Sequence, residues 1–133
     1  MVTGKVPEDL KYTKDHEWVR QRDGVAVVGL TDHAQKQLGD IVYVELPKVG
    51  ERFEASEPFG TVESVKAVSE LYAPVTGQVI KVNDELTESP ENVNDDPYGD
   101  GWLIEIQMAN PAQAKELLTS AEYTAYLQDE ADS

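Results

Sequence analysis

The chain has 133 residues, of which 40% are apolar, 11 are Lys or Arg, 26 are Asp or Glu, and none is cysteine. This length suits a single domain with one modest core, and the lack of cysteine excludes disulfides, thiolate metal ligands and thiol catalysis. The net charge of -15 disfavours nucleic acid as a partner, and no apolar run is long enough to span a bilayer or, within Met1–Leu10, to serve as a secretory signal.

The first predicted elements are two strands separated by a short helix. Val25–Leu30 and Ile41–Leu46 are short, apolar and rich in β-branched residues, which is typical of buried strands. Between them, Thr31 is predicted to cap a helical segment over Asp32–Leu38. Gly39 is predicted to end that segment, because glycine readily adopts the backbone conformation found after a helix.

The middle of the chain predicts four more strands. They are expected at Phe59–Val65, Val68–Ala73, Val75–Val82 and Trp102–Met108, and the polar stretch Thr87–Gly101 between the last two is rich in turn residues. Strands that recur about every ten residues, with turn signals between them, are typical of a small β-sandwich or barrel.

Two helices are predicted after the last strand. Asn110 is expected to cap the first, with Pro111 as its first residue and Gln113 completing a capping box. This helix is expected to end near Leu118. The second is expected over Ala121–Gln128, where aromatic and aliphatic residues fall on one face.

The last predicted features complete a single-domain plan. Ser120 is expected to cap the second helix, and Asp129–Ser133 is expected to fray. The predicted fold class is β-rich α+β: a two-sheet β-sandwich or flattened barrel with short N-terminal helical turns and C-terminal helices. The domain is expected to span 1–133, with its core at about 12–109 and the C-terminal helices at about 111–128.

The segment ESVKAVSE, Glu63–Glu70, is a near-palindrome. Folded as a tight antiparallel hairpin, it would hold Lys66 in solvent at the tip. The residues that would then face each other are Val65 and Val68, Ser64 and Ser69, and Glu63 and Glu70.

A helix is the competing interpretation of this segment. The hairpin turn would lack Gly and Asn, and two opposed glutamates would repel each other. In addition, Val65, Val68 and Tyr72 fall at helical spacing. The pattern alone leaves strand and helix open, and a lysine at such a tip is usually only a solvated turn residue.

The surrounding sequence resembles a known family. Glu63–Ala67 followed by Tyr72–Gly77 resembles the lipoylation motif of the glycine cleavage system H-protein family. Five further blocks resemble that family in the same order: Tyr12–Arg20, Val28–Gly39, Ile41–Pro47, Asn94–Leu103 and Glu122–Tyr123.

The resemblance implies a non-catalytic carrier protein. Its fold would be a two-sheet β-fold related to biotinyl and lipoyl domains, with lipoate joined as an amide to Lys66 on a hairpin. The implied partners are a pyridoxal-phosphate glycine decarboxylase, a tetrahydrofolate-dependent aminomethyltransferase, a dihydrolipoyl dehydrogenase using FAD and NAD, and a lipoate-attaching enzyme. No nucleic acid or membrane partner is implied. The implied location is a bacterial cytoplasm, or a mitochondrial matrix for a processed eukaryotic protein.

The resemblance also implies roles for residues around the lysine. Glu63 and Gly77 match positions associated with recognition by the lipoate-attaching enzyme, and this role is favoured over the alternatives, a solvated strand residue for Glu63 and relief of crowding in a strand for Gly77. Glu17 and Glu70 are candidates for a cleft that holds the loaded arm, with ordinary surface acids as the alternative. Gln37 stands where some relatives have a histidine, so this sequence departs from the family there.

Other interpretations have weaker support. His16 and His33 lie in no recognised zinc motif, so the sequence predicts no metal site and only structural or surface roles for them. A lipoyl domain of a 2-oxoacid dehydrogenase complex is disfavoured because Val65 replaces the usual Asp before the lysine. A biotin carrier is disfavoured because methionines do not flank Lys66. A lipoate-relay protein and a cofactor-free acidic interaction protein stay open.

Overall fold

The computed structural model describes residues 5–132, with side chains described for 5–130. Its strands are β1 (Lys11–Tyr12), β2 (Glu17–Arg22), β3 (Val25–Leu30), β4 (Ile41–Glu45), β5 (Arg52–Phe53), β6 (Pro58–Ser64), β7 (Val68–Tyr72), β8 (Gly77–Val82) and β9 (Ile104–Met108). Its helices are α1 (Asp32–Leu38), α2 (Glu85–Glu88), α3 (Asn92–Asp95), a 3₁₀ helix (Pro111–Glu116) and α4 (Ser120–Asp132).

These strands form two antiparallel sheets. The larger has six strands in the order β1-β2-β3-β9-β8-β5, and the smaller has three in the order β4-β6-β7. The two-sheet prediction is therefore confirmed, although the sheets do not close into a barrel. No helix among the described residues is long and apolar enough to cross a membrane.

Apolar side chains from both sheets pack against each other to form the main core. Val28 and Ile104 of the larger sheet and Val62 and Leu71 of the smaller one have no solvent exposure. Because buried side chains of both sheets belong to one cluster, the two sheets pack face to face. Burial of such side chains contributes about 1.5–3 kcal/mol each to folding.

A second group of buried residues, here called the aromatic cluster, joins α4 to β1 and β2. It comprises Leu10, Tyr12, Trp18, Tyr123 and Leu127. The rings of Tyr12 and Tyr123 stack with centroids 4.7 Å apart, and the Trp18 indole donates a hydrogen bond to the Pro97 carbonyl at 2.9 Å. Trp18 is thus a core anchor, whereas Trp102 is only half-buried against the cluster.

Most predicted elements lie within two residues of their observed bounds, but three strands were not predicted. β1 and β5 are only two residues long, and β2 carries polar residues at its exposed end. The cap at Thr31 is confirmed, because its side chain accepts from the Ala34 amide, and Gly39 ends α1 with a φ of 81°.

The predicted C-terminal helices need three corrections. The first is a 3₁₀ helix that ends at Glu116; Asn110 caps it as predicted, but the Gln113 side chain accepts instead from the Thr76 amide at 2.8 Å. The predicted capping box at Gln113 is therefore wrong, because the side chain is used to hold the neighbouring loop. This contact fixes the 3₁₀ helix against the turn before β8.

The second correction concerns the cap of α4. Thr119 Oγ1 accepts from the Glu122 amide, and the Glu122 carboxylate accepts from the Thr119 amide at 2.9 Å. This reciprocal pair is a capping box, so Thr119 rather than Ser120 caps the helix. The third correction is that α4 continues to Asp132 instead of fraying from Asp129, while the expectation for Ser133 and for residues 1–4 lies outside the described residues.

A lysine displayed on the β6–β7 hairpin

The near-palindromic segment forms a hairpin and not a helix. β6 pairs with β7, and the last pairs before the turn are Val62 with Ser69 and Glu63 with Val68. The predicted register was therefore wrong, because the turn centres on Val65 and Lys66 instead of Lys66 and Ala67. Thr61, and not Glu63, faces Glu70. The predicted repulsion between two directly opposed glutamates does not arise.

Ser64 explains how this turn forms without Gly or Asn. Its buried hydroxyl oxygen accepts from the amides of Lys66 and Ala67 at 3.3 and 3.1 Å, and its own amide donates to the Ala67 carbonyl at 2.8 Å. No described residue in the range 64–67 has a positive φ. The serine side chain thus replaces the turn hydrogen bond that a glycine-containing hairpin makes with its backbone.

A neighbouring loop holds the hairpin tip in place. The Val65 amide donates to the Asp40 carbonyl at 3.0 Å. The Asn94 side chain fixes that loop in turn, because it accepts from the Ile41 amide and donates to the Gly39 carbonyl, both at 2.9 Å. The tip is therefore held both by the two strands of its own hairpin and by the loop that contains Asp40. Sequence reasoning missed Ser64, Asp40 and Asn94, and only the two-residue spacing of Ser64 from Lys66 offered a signal.

The tip is the most exposed apolar part of the described molecule. Val65 and Val68 are 70% and 67% exposed, and Lys66 between them is exposed as well. The Lys66 Cε lies 3.5 Å from the point where a side chain on Gly39 would begin, so the stem of the lysine passes over this glycine. Among the described residues, no salt bridge involves Lys66. The amine is therefore accessible for acylation.

The structure separates the two residues matched to ligase recognition. Glu63 is exposed on β6, in the same hairpin as Lys66 and directly across from Tyr43 of β4. Gly77 is buried in β8, in the other sheet. A Cβ at Gly77 would lie 2.2 Å from the Gln107 carbonyl oxygen, so close packing alone is a sufficient reason for glycine there.

The two candidate arm-cleft acids also differ. Glu17 is only 1% exposed, so the interpretation as a surface acid is wrong for it, whereas Glu70 is exposed on β7. The Glu17 carboxyl accepts from the Thr13 hydroxyl at 2.7 Å and from the Tyr72 amide at 3.2 Å. Burial raises the pKa of Glu17 to about 8, so its carboxyl is mostly protonated at neutral pH.

Glu17 borders a surface cavity that Glu70 does not line. The cavity has a volume of about 310 Å³ and lies between the start of β2 and the chain before α4. Its lining includes Thr13, Ser56, Pro74 and Leu117. Gln37, at the position where some relatives have histidine, is exposed on α1 and does not line this cavity.

Comparison with known proteins agrees with this architecture. The family model described as glycine cleavage H-protein matches residues 10–130. The chain is 57% identical over 127 residues to a glycine cleavage system H protein from Herpetosiphon aurantiacus, covering 96% of this chain and 97% of that one. It is 56% identical over 124 residues to one from Myxococcus xanthus, covering 93% and 96%.

A solved structure is similar over nearly its full length. The crystal structure of a glycine cleavage system H protein from Mycobacterium marinum superposes with a TM-score of 0.85 at 43% identity, covering 91% of this chain and 98% of that one. The sequence comparisons and the structural comparison point to the same family. The chain therefore belongs to the glycine cleavage H-protein family.

Proposed function

We propose that Lys66 carries lipoate as an amide and that this arm transports the aminomethyl group of glycine between enzymes. Membership of the H-protein family makes the chain a carrier component of the glycine cleavage system. The observation that carries the proposal for Lys66 is its exposed amine at the tip of a hairpin whose turn is held by Ser64 and Asp40.

The residues around Lys66 fit a covalently attached arm. Lipoate would supply the disulfide and dithiol chemistry, while the protein supplies attachment and presentation. Amide formation removes the lysine charge, and among the described residues no salt bridge is lost by it. The fixed turn holds the attachment point away from the sheets, and tethering gives the arm a high effective concentration at a docked enzyme.

The surface around the tip suits successive docking to several enzymes. Val65 and Val68 offer a small apolar contact beside the lysine, and the net charge of -15 favours fast, electrostatically steered encounters. The proposed partners are the pyridoxal-phosphate glycine decarboxylase, the tetrahydrofolate-dependent aminomethyltransferase and the FAD- and NAD-dependent dihydrolipoyl dehydrogenase. The bacterial sources of the relatives support a bacterial cytoplasm as the location.

Two residue roles belong to the same proposal. Glu63 is the better candidate for recognition by the lipoate-attaching enzyme, because it is exposed on the strand that leads to Lys66. Gly77 contributes more indirectly, through the close packing of β8. For the loaded arm, the cavity beside Glu17 is the better candidate, and a protonated Glu17 would act there by hydrogen bonding instead of charge.

The test is attachment of lipoate to the purified full-length chain. After incubation with a lipoate-attaching enzyme, lipoate and ATP, intact mass is expected to rise by one lipoyl amide, and peptide mapping across 60–75 is expected to place it on Lys66. Lys66→Arg is expected to keep the fold and lose both the modification and glycine turnover in the reconstituted system.

Lys36→Arg is the matched control, because Lys36 is another exposed lysine whose charge pairing with Asp32 an arginine retains. It is expected to be lipoylated like the wild type. Lipoyl incorporation into Lys66→Arg, or a wild type that stays unmodified under these conditions, would contradict the proposal.

A further inference from the structure

Two imidazoles and a carboxylate from distant parts of the chain meet beside the aromatic cluster. His16 lies in the turn before β2, His33 lies in α1, and Glu130 lies near the end of α4. One nitrogen or oxygen atom of each lies within 4.8 Å of those of the other two. The centroids of the two imidazole rings are 4.9 Å apart. No sequence motif predicts that His16, His33 and Glu130 lie together, because they become neighbours only when α4 packs against the rest of the fold.

A hydrogen-bond chain orients the His16 ring. Its Nδ1 lies 2.8 Å from the Tyr123 hydroxyl, which lies 2.9 Å from Thr31 Oγ1. If Nδ1–H donates to Tyr123 and Tyr123 donates to Thr31, each of these contacts is satisfied, and the lone pair of His16 Nε2 faces Glu130. Metal-binding histidines are commonly oriented in this way, by a hydrogen bond from the ring nitrogen that does not bind the metal.

The Glu130 carboxylate accepts from the Tyr126 hydroxyl through Oε2 at 3.0 Å, while its Oε1 lies on the side of His16. His16 Nε2 and Glu130 Oε1 are 3.7 Å apart, which is too far for a hydrogen bond. His33 Nδ1 is buried and has no hydrogen-bond partner among the described residues.

We propose that His16, His33 and Glu130 form a binding site for a divalent transition-metal ion such as Zn²⁺. Zn²⁺ takes imidazole nitrogen and carboxylate oxygen at about 2.0–2.2 Å, which places tetrahedral ligand atoms roughly 3.4 Å apart. The 3.7 Å separation of His16 and Glu130 is close to that value. The Glu130 side chain is 46% exposed, so it has room to close the remaining gap, and water completes the coordination.

Such an ion would fasten α4 to the body of the protein. Its ligands come from the turn before β2, from α1 and from α4, which unfolding separates. An ion that binds only the folded chain raises its thermal stability, and the effect grows with ion concentration. This role is independent of lipoate, so the proposal stands or falls separately from that for Lys66.

The test is Zn²⁺ binding to the full chain after treatment with EDTA and dialysis. Calorimetry is expected to show one saturable site per chain, and Co²⁺ is expected to give the visible absorption of a tetrahedral complex. His33→Asn and Glu130→Gln are each expected to weaken Zn²⁺ binding by more than about tenfold. Thermal unfolding in EDTA checks that both variants fold.

Asp129→Asn is the matched control for Glu130→Gln. It makes the same charge change on the same helix, at an exposed residue outside the group. Its Zn²⁺ affinity is expected to equal that of the wild type. Equal affinities of Glu130→Gln and Asp129→Asn would overturn the proposal, because binding would then come from the acidic surface. Absence of Zn²⁺ binding to the wild type, or unchanged binding to His33→Asn, would overturn it as well.

Discussion

The hairpin tip, Ser64–Ala67, exposes a polar side chain to solvent, whereas the region of the aromatic cluster buries polar side chains. At the tip, Lys66 is exposed and its turn is closed by a serine two residues away. In the cluster, Tyr12 and Tyr123, from opposite ends of the chain, stack 4.7 Å apart, and Glu17, the residue before Trp18 of the cluster, is 1% exposed. Display of a side chain in solvent therefore depends on a locally closed turn, whereas burial of a polar group depends on long-range packing.

The largest expected effect is the contribution of Glu17 to the pH dependence of the free energy of unfolding. Its pKa is raised from 4.5 to about 8 by burial, so the folded chain holds a proton that the unfolded chain releases above pH 4.5. The resulting stabilisation is complete below pH 4.5 and is lost as pH rises to 8. A shift of this size corresponds to a change on the order of 5 kcal/mol.

Glu17→Gln isolates this contribution from the other carboxylates. Glutamine has a similar shape, keeps one oxygen that can accept from the Tyr72 amide and cannot ionise. Urea unfolding in EDTA between pH 4.5 and 9 is expected to show that the difference in stability, wild type minus variant, falls as pH rises. A difference that is constant across this range would mean that Glu17 does not titrate as a buried acid.

Tyr123→Ala tests whether the aromatic cluster supports the whole fold. Tyr123 has no solvent exposure, stacks on Tyr12 and lies within hydrogen-bond distance of His16 and Thr31. Removal of a large buried ring costs roughly 3–5 kcal/mol. The expected result in urea unfolding is a large loss of stability. Tyr123→Phe is expected to lose less, about 1–2 kcal/mol, because it removes only the hydroxyl.

Gly77→Ala tests whether glycine at this position is needed for packing of the sheet or for recognition by the lipoate-attaching enzyme. A new Cβ would lie 2.2 Å from the Gln107 carbonyl, so we expect a loss of roughly 1–3 kcal/mol from overpacking. Stability is measured by urea unfolding, and the initial rate of lipoylation is measured under folded conditions. A slower lipoylation with unchanged stability would instead assign Gly77 to recognition.

The same contrast explains how much the sequence predicts. Six of the nine described strands, the α1 cap at Thr31 and the exposed Lys66 follow from patterns within a few residues, and the structure shows all of them. The burial of Glu17 and the use of Gln113 as a loop anchor could not be predicted, because their partners, Tyr72 and Thr76, are distant in sequence. The prediction of the hairpin register was wrong for a different reason. It relied on the mirror symmetry of the sequence, whereas the observed turn is centred where the Ser64 hydroxyl accepts from the Lys66 and Ala67 amides.

The smallest expected effect on stability is at the hairpin tip. Two substitutions there distinguish the contribution of the Ser64 side chain from that of the exposed Val65. Ser64→Ala removes the acceptor for the Lys66 and Ala67 amides, which is expected to cost about 1 kcal/mol and to speed hydrogen exchange at those two amides. Val65→Ala, at a side chain 70% exposed, is expected to change stability by less than about 0.5 kcal/mol and to leave this exchange unchanged. If both variants behaved alike, the backbone contact to Asp40 would suffice to hold the turn. A loss of stability together with faster exchange in Ser64→Ala alone would mean that the serine side chain holds the turn that carries Lys66.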